Sequence, residues 1–304
     1  MREHDFPRTG RAKGRNLFDD DDLTFEKRVT EEPEWDETPD KPEFGDRWST
    51  WDLSTPTERG PLPHPDWVIT ELAAVDGERG VLKTGKEADV FLLERAVDDG
   101  RSVVMAAKRY RDSDRSNFHR NAAYTEGRRG RDSREARAAA KGTAFGRAVA
   151  AGQWANAEWA SLKLCWRLGL PVPYPVQIDG TELLMEWITV GPTEDLRTAP
   201  RLAQSRPSPA LLASYFDQLR EAVATMAQHG IVHGDLSAYN LLAAGDRLVI
   251  IDLPQVVDLV GNPQGMDFLL RDCANVCGWF RSKGLDAGVA DEHALFSDVL
   301  ATAF

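Results

Sequence analysis

The sequence predicts an α+β fold in two lobes, a small β-rich N-lobe with one helix and a reduced, mainly helical C-lobe. Three observations predict it. Strand-rich sequence runs from about residue 80 to 110 and closes on Val103-Val104-Met105-Ala106-Ala107-Lys108-Arg109-Tyr110, apolar and partly β-branched up to a basic end. Helical spacing follows at Gln153–Leu168 and again, more strongly, at Pro209–His229. Turn-rich sequence then holds His233-Gly234-Asp235-Leu236-Ser237-Ala238-Tyr239-Asn240, ahead of the apolar run Leu248-Val249-Ile250-Ile251-Asp252.

Residues 1–60 contain 17 Asp and Glu against 10 Lys and Arg, with few aliphatics and several prolines. That composition predicts a disordered acidic tail. Phe18, Trp35, Phe44, Trp48 and Trp51 are scattered through it as potential anchors. Trp67-Val68-Ile69-Thr70-Glu71-Leu72 opens the ordered domain, 61–304. The N-lobe is assigned to about 61–188 and the C-lobe to 189–304. A tight turn at Gly85 feeds the strand Val90-Phe91-Leu92-Leu93. Further strands are expected at Val176-Gln177-Ile178 and Leu183-Leu184-Met185-Glu186-Trp187-Ile188. The first helix places Trp154, Glu158, Leu162 and Cys165 on one stripe and ends at Gly169 and Pro171. In the second, Leu212, Tyr215, Phe216, Leu219, Val223 and Met226 repeat at three and four, with Gly230 at the C-terminal cap. A hairpin around Gly245-Asp246 and a helix over 263–282 complete the C-lobe.

The spacing of polar groups carries the chemistry. Asp235 and Asn240 are five positions apart and Asp252 lies twelve further on, the spacing of a kinase catalytic loop and its metal-binding aspartate. One carboxylate orients the attacking hydroxyl and accepts its proton. An amide oxygen and a second carboxylate hold Mg²⁺ on nucleotide phosphates. Asp and Asn in a turn commonly bond their own backbone, so the loop gains weight from what precedes it. Lys108 ends a strand where a phosphate-gripping lysine belongs. Glu158 falls on an apolar stripe, where a carboxylate is costly unless paired, and Lys108 is its obvious partner. Gly80 to Lys86 nearly fits a P-loop, but Glu87 stands where that loop needs a hydroxyl for the metal. A P-loop enzyme is therefore disfavoured.

Four stretches resemble the RIO family of atypical serine/threonine protein kinases. Lys83-Thr84-Gly85-Lys86-Glu87-Ala88-Asp89-Val90 resembles its S-T-G-K-E-A-[ND]-V signature. His233–Asn240 resembles its H-x-D-L-S-x-[YF]-N loop, Ile250-Ile251-Asp252-Leu253-Pro254-Gln255 its I-I-D-x-x-Q segment, and Phe268–Val276 its F-L-x-x-D-C-x-N-[VI] helix. Gly234 and Pro254 depart from that pattern, and H-G-D also occurs in aminoglycoside and choline phosphotransferases. Residues 61–80 do not read as a winged helix, so the resemblance is to the branch without that domain, of bacterial type. It implies a protein-kinase-like fold and an ATP- and Mg²⁺-dependent enzyme, with Mn²⁺ as an alternative cation. Mapped on this sequence, Asp235 is the catalytic carboxylate and Asn240 and Asp252 bind the metal. Lys108 and Glu158 form the phosphate-holding pair. Thr84, Gly85 and Lys86 cover the triphosphate. Met185 lines the back of the adenine pocket, and backbone groups of Glu186 and Ile188 meet the base. The resemblance also implies that Asp252 can itself accept the phosphoryl group. His233, Asp272 and Asn275 are expected to brace the fold. In archaea and eukaryotes the family acts in small-ribosomal-subunit maturation.

Composition bounds the partners. The net charge of −12 argues against sequence-blind nucleic-acid affinity over the whole surface. Yet residues 108–147 hold 12 Lys and Arg against 5 Asp and Glu, within an insertion expected to be a flexible basic loop over about 112–150. Its 112–147 portion is a candidate contact for RNA phosphates, a ribosomal subunit or an acidic protein. Cys165, Cys273 and Cys277 are expected to be reduced core residues. Neither a signal peptide nor a membrane-length apolar run is visible, so the expected location is cytoplasmic. Only 52 residues follow Asp252, too few for the peptide-docking platform of ordinary protein kinases. That favours self-phosphorylation, a narrow protein-serine range or ATPase-like switching. The competing functions are a small-molecule phosphotransferase of the aminoglycoside or choline type, and an ATP-dependent conformational switch in ribosome assembly.

Overall fold

Residues 75–110 form an antiparallel meander because tight turns punctuate three runs that favour strand. β2 (Val75–Thr84), β3 (Ala88–Ala96) and β4 (Ser102–Tyr110) follow β1 (Arg47–Trp48). The structure, a computed structural model, describes residues 42–111, 144–191, 195–253 and 256–303, with side chains from residue 150 onward in the second segment. β3 and β4 pair without interruption from Ala88↔Tyr110 to Ala96↔Ser102. With β5 (Pro175–Asp179) and β6 (Glu182–Glu186) they make a six-stranded sheet in the order β1-β2-β3-β4-β6-β5. Gly85 makes the β2–β3 turn possible, since a Cβ there would lie 2.6 Å from the Ala88 carbonyl oxygen.

Helix α1 (Ala144–Arg167) crosses from β4 to β5. It starts nine residues before the expected Gln153, so the basic insertion does not run as loop to 150. Residues 112–143, which hold most of the expected basic loop, lie outside the described residues. Gly169 ends the helix in a left-handed conformation (φ +72), and the Leu170 N–H returns to the Cys165 carbonyl at 3.1 Å.

Short antiparallel pairs follow: β7 (Thr189–Val190) with β8 (Arg197–Thr198), β9 (Ile231–Val232) with β12 (Val257–Asp258), and β10 (Leu241–Ala244) with β11 (Arg247–Ile250). Three helices enclose them. In α2 (Pro209–Gln228), Ser208 caps the N-terminus by accepting the Leu211 N–H, and Pro209 stands at the first helical position. Its buried stripe, Leu212, Tyr215, Phe216, Leu219, Val223 and Met226, follows the sequence spacing. α3 (Gly265–Ser282) buries Phe268, Leu269, Cys273, Val276, Cys277 and Phe280. α4 (Glu292–Ala303) packs on α2 and α3 through Leu295 and Val299. It was not anticipated, although Asp291 capping the Ala294 N–H at 2.7 Å is a legible start signal. All three cysteines are buried and free. None of the helices among the described residues is long and apolar enough to cross a membrane.

The expected tail through residue 60 does not hold for residues 42–60; residues 1–41 lie outside the described set. β1 pairs with β2. Trp51 is 4% exposed within a second apolar core formed with Leu93, Met105, Tyr174, Val176 and Leu184. The Gly60 N–H bonds the Val176 carbonyl at 3.0 Å and the Glu58 carbonyl accepts the Ile178 N–H at 2.9 Å. Acidic residues and prolines averaged over 60 positions hid a short segment whose single buried indole offsets its polar neighbours. Trp51→Leu is expected to cost about 2 kcal/mol through lost apolar burial. An unchanged urea midpoint would show that this segment does not contribute to the core.

Candidate active site

A single cross-strand row builds the upper wall of the site. Lys83 pairs with Val90, and Val90 with Lys108. Directly opposed residues in an antiparallel ladder share a face, so all three project the same way, and all three line a cavity of about 810 Å³. Thr84 pairs with Asp89, one position on. The period of two sends it to the other face, and it does not line the cavity, unlike Gly85 and Lys86.

Lys108 sits between two carboxylates. Its Nζ lies 2.7 Å from Glu158 Oε1 and 2.6 Å from Oε2, and 2.8 Å from Asp252 Oδ1. Glu158, on α1, is 3% exposed and also accepts the Tyr110 hydroxyl. Burial pulls the Lys108 ammonium down, but the Glu158 and Asp252 charges outweigh it and hold its pKa above the ordinary lysine value. For Glu158 burial wins and raises the carboxyl, with Lys108 opposing. Asp252 differs: the Lys108 charge dominates and holds its carboxyl below the usual range. Its side chain is 42% exposed and lines the cavity. Asp252 has φ +63, the one non-glycine residue with positive φ among the described residues. Aspartate tolerates this left-handed region better than most residues, and such conformers concentrate at functional sites.

The loop carrying Asp235 is held by α3. Asp272 accepts the Gly234 N–H at 2.7 Å and the Leu236 N–H at 2.8 Å. Asn275 Nδ2 donates to the Leu236 carbonyl at 3.2 Å, and Arg271 donates to the Gly234 carbonyl. Burial raises the Asp272 carboxyl, against which the two N–H bonds and nearby His233 and Arg271 act. Gly234 has φ +83, a conformation glycine adopts without strain, which accounts for its presence in the loop. His233 is buried and its Nδ1 faces the Asp235 N–H at 3.3 Å. Asp235 itself is exposed and lies outside the cavity lining. Asn240 is buried, its Nδ2 donates to the Asp235 carbonyl at 2.9 Å, and its own carbonyl accepts the Ile251 N–H at 2.9 Å. The backbone thereby links Asp235, Asn240 and Asp252 into one unit. Asp272→Ala strips two N–H groups of their acceptor. The two buried N–H groups left unpaired should cost about 1–3 kcal/mol in urea unfolding. An unchanged urea midpoint would remove Asp272 from the holding of the loop.

At the inner end, Met185, Glu186, Trp187 and Ile188 line the cavity with Ala106, which pairs with Met185. The Glu186 N–H is taken by the Tyr174 carbonyl at 2.9 Å, and its carboxylate accepts the Tyr174 N–H at 3.0 Å. Ile188 gives its carbonyl to the Ala199 N–H at 2.9 Å. Lys83, Arg201, Gln204 and Tyr239 also line the cavity. None of these four was singled out from sequence. Lys83 faces the cavity through its register with Val90, which follows a shift in the β2–β3 pairing, and Arg201 reaches the cavity only by tertiary folding.

Asp252 lines the cavity, whereas buried Asn240, like Asp235, does not; an amide oxygen and a carboxylate are the donor types they offer. No cluster of three or more His, Cys, Asp or Glu occurs among the described residues. Two oxygen donors, with waters and ligand phosphates completing the shell, fit Mg²⁺ chemistry.

A sheet over a helical lobe, with a Lys–Glu pair and an Asp-x4-Asn loop at their junction, is a site of the protein-kinase-like class. The RIO domain family model matches residues 92–294, and the chain belongs to that family. It is 37% identical over 213 residues to the RIO-type serine/threonine-protein kinase Rio1 of Haloferax volcanii, covering 70% of this chain and 66% of that protein. It is 30% identical to serine/threonine-protein kinase rio1 of Dictyostelium discoideum, covering 67% of this chain and 33% of that one. The chain thus spans from about a third to just under two thirds of these relatives. The solved Rio2 kinase of Chaetomium thermophilum matches with a TM-score of 0.49 at 21% identity, over 74% of this chain and 63% of that one.

Proposed function

We propose that this chain is an ATP- and Mg²⁺-dependent RIO-type serine/threonine protein kinase or ATPase that transfers the γ-phosphoryl group to itself or to a protein serine. The observation that carries this reading is Lys108 held between Glu158 and Asp252 at the wall of a nucleotide-sized cavity, with the Asp235–Asn240 loop tied through the Asn240 carbonyl to Ile251, the neighbour of Asp252. Lys108 holds phosphates, and Asn240 and Asp252 hold Mg²⁺, or Mn²⁺ in its place. The metal neutralises phosphate charge when bound. Asp235 orients the acceptor hydroxyl and takes its proton. Gly85 and Lys86 close over the phosphates, and Met185, Glu186 and Ile188 receive the base. The proposed setting is the cytoplasm, with the basic segment 112–147 as the contact for RNA or a ribosomal subunit.

A second route has support of its own. Asp252, not Asp235, faces the cavity, and Lys108 keeps it ionised. One of its oxygens can attack the γ-phosphorus as the β–γ bridging P–O bond breaks and ADP leaves; water then cleaves the acyl phosphate. Incubation with γ-labelled ATP separates the routes. Label should appear in phosphate or on the protein, hydroxylamine-labile if Asp252 accepts it and stable if serine does. Label transferred only to an added aminoglycoside or amino alcohol would contradict the protein-kinase reading.

A further inference from the structure

The cations lining the cavity exceed what the Lys108 cluster uses. Lys108 is ion-paired with both Glu158 and Asp252. Lys83 and Arg201 line the same cavity, and among the described residues neither has a carboxylate within ion-pair distance. They come from opposite walls. Lys83 stands on β2, two strands from Lys108 in the row Lys83–Val90–Lys108, roughly 10 Å along the sheet by ordinary strand spacing. Arg201 stands below, where its backbone bridges Leu242 of β10 and its carbonyl accepts the Gln204 N–H at 2.8 Å. The adjacent Pro200 carbonyl takes the Ala243 N–H at 2.8 Å. β2 and the segment bridged to β10 therefore each bring one cation to the lining of the same cavity.

We propose that Lys83 and Arg201 form an anion clamp across the cavity, which holds a phosphate of the bound nucleotide separately from the Lys108 site. The proposal rests on the nucleotide-binding reading above and adds two residues to it. Two cations that line one cleft repel, and an anion between them removes that cost. Desolvation at the cavity wall, then the Arg201 guanidinium, hold the Lys83 ammonium below the ordinary lysine value, against the opposing pull of the Asp252 carboxylate. Guanidinium also offers paired donors that match phosphate oxygens. The clamp makes affinity depend on phosphate number, because adenosine reaches the inner pocket yet leaves both cations empty.

Calorimetric titration of the full chain with Mg²⁺·ATP, ADP, AMP and adenosine tests this. Arg201→Ala and Lys83→Ala should each weaken ATP by roughly tenfold or more, the magnitude of a lost charge-assisted hydrogen bond. Adenosine affinity should change by less than about twofold. Arg201→Lys should recover part of the loss. Lys83 is exposed, so its variant keeps the test intact if Arg201→Ala perturbs folding. Wild type that binds adenosine as tightly as ATP would overturn the clamp while leaving a nucleotide site. So would variants that weaken ATP and adenosine alike, or neither. Wild type that binds none of the four would overturn the nucleotide reading and the clamp together.

Discussion

Lys108→Met is expected to lower ATP turnover by about a hundredfold to a thousandfold, the range for removing one preorganised charge from a transition state, with the fold retained. The reason lies in its two partners. Lys108 Nζ is 2.6 Å from Glu158 and 2.8 Å from Asp252. Without the ammonium, buried Glu158, already raised by desolvation, takes up a proton and leaves no buried charge. Asp252 loses the charge that holds it low and the ion pair that anchors it. The pH dependence has a defined sign. Asp252 titrates below its ordinary 3.8 in the folded state, so its contribution to stability is complete above that value and is lost as pH falls through the folded pKa. Lys108 titrates above its ordinary 10.5, so its contribution is complete below 10.5 and is lost as pH rises through the folded value. Glu158 opposes both, costing stability above its ordinary 4.5. The stability difference between wild type and Lys108→Met should therefore form a plateau across neutral pH and narrow in acid. A difference that grew as pH fell below 4 would contradict the assignment of Asp252 to this pair.

The second large effect is on stability. Arg95 and Asp76 are 0% and 1% exposed. Arg95 Nε meets Asp76 Oδ1 at 2.7 Å and its Nη2 meets Oδ2 at 3.0 Å. Gln177 accepts from Nη2 at 3.3 Å and donates to Thr50 at 2.8 Å, so the pair ties β2 and β3 to β5 and to the segment before β2. Arg95 Nη1 is buried without a partner among the described residues, so the guanidinium is already incompletely satisfied. Asp76→Ala leaves a buried cation without its anion and should cost ~3–5 kcal/mol. Replacing both residues by apolar ones of similar volume should cost less, because the isolated charge and not the lost pair dominates. Urea unfolding of the two variants measures this. A loss below about 1 kcal/mol in Asp76→Ala would mean that water reaches Arg95 in the folded protein.

What was legible in the sequence was chemistry at fixed spacing. Glu158 on an apolar stripe identified its own partner, because a carboxylate there has few affordable neighbours. Asp235, Asn240 and Asp252 stood at intervals that a turn and a short hairpin can fold onto one edge. The helix at Pro209 declared itself by a cap, a proline and an unbroken stripe. Side-chain direction was harder to read. Thr84 and Lys83 are adjacent, and only the register with Val90 decides that the lysine faces the cavity and the threonine does not. Residues 42–60 were lost to averaging with a more acidic neighbour, although Trp51 and Gly60 marked close packing: a Cβ on Gly60 would meet the Pro175 carbonyl at 2.0 Å. Arg201 carries no local signal, since its approach to Lys83 depends on β10 and the sheet meeting across the cavity.

In the proposed function Asp252 and Asp235 act on a nucleotide held by Lys108. Single-turnover reaction of the protein with γ-labelled ATP and Mg²⁺, beside Asp252→Asn and Asp235→Ala, tests it most directly. The expected result is γ-phosphoryl transfer in wild type and its loss in both variants, with ATP still bound by Asp235→Ala, whose exposed carboxylate lies outside the cavity lining. Transfer at the wild-type rate in either variant would contradict it.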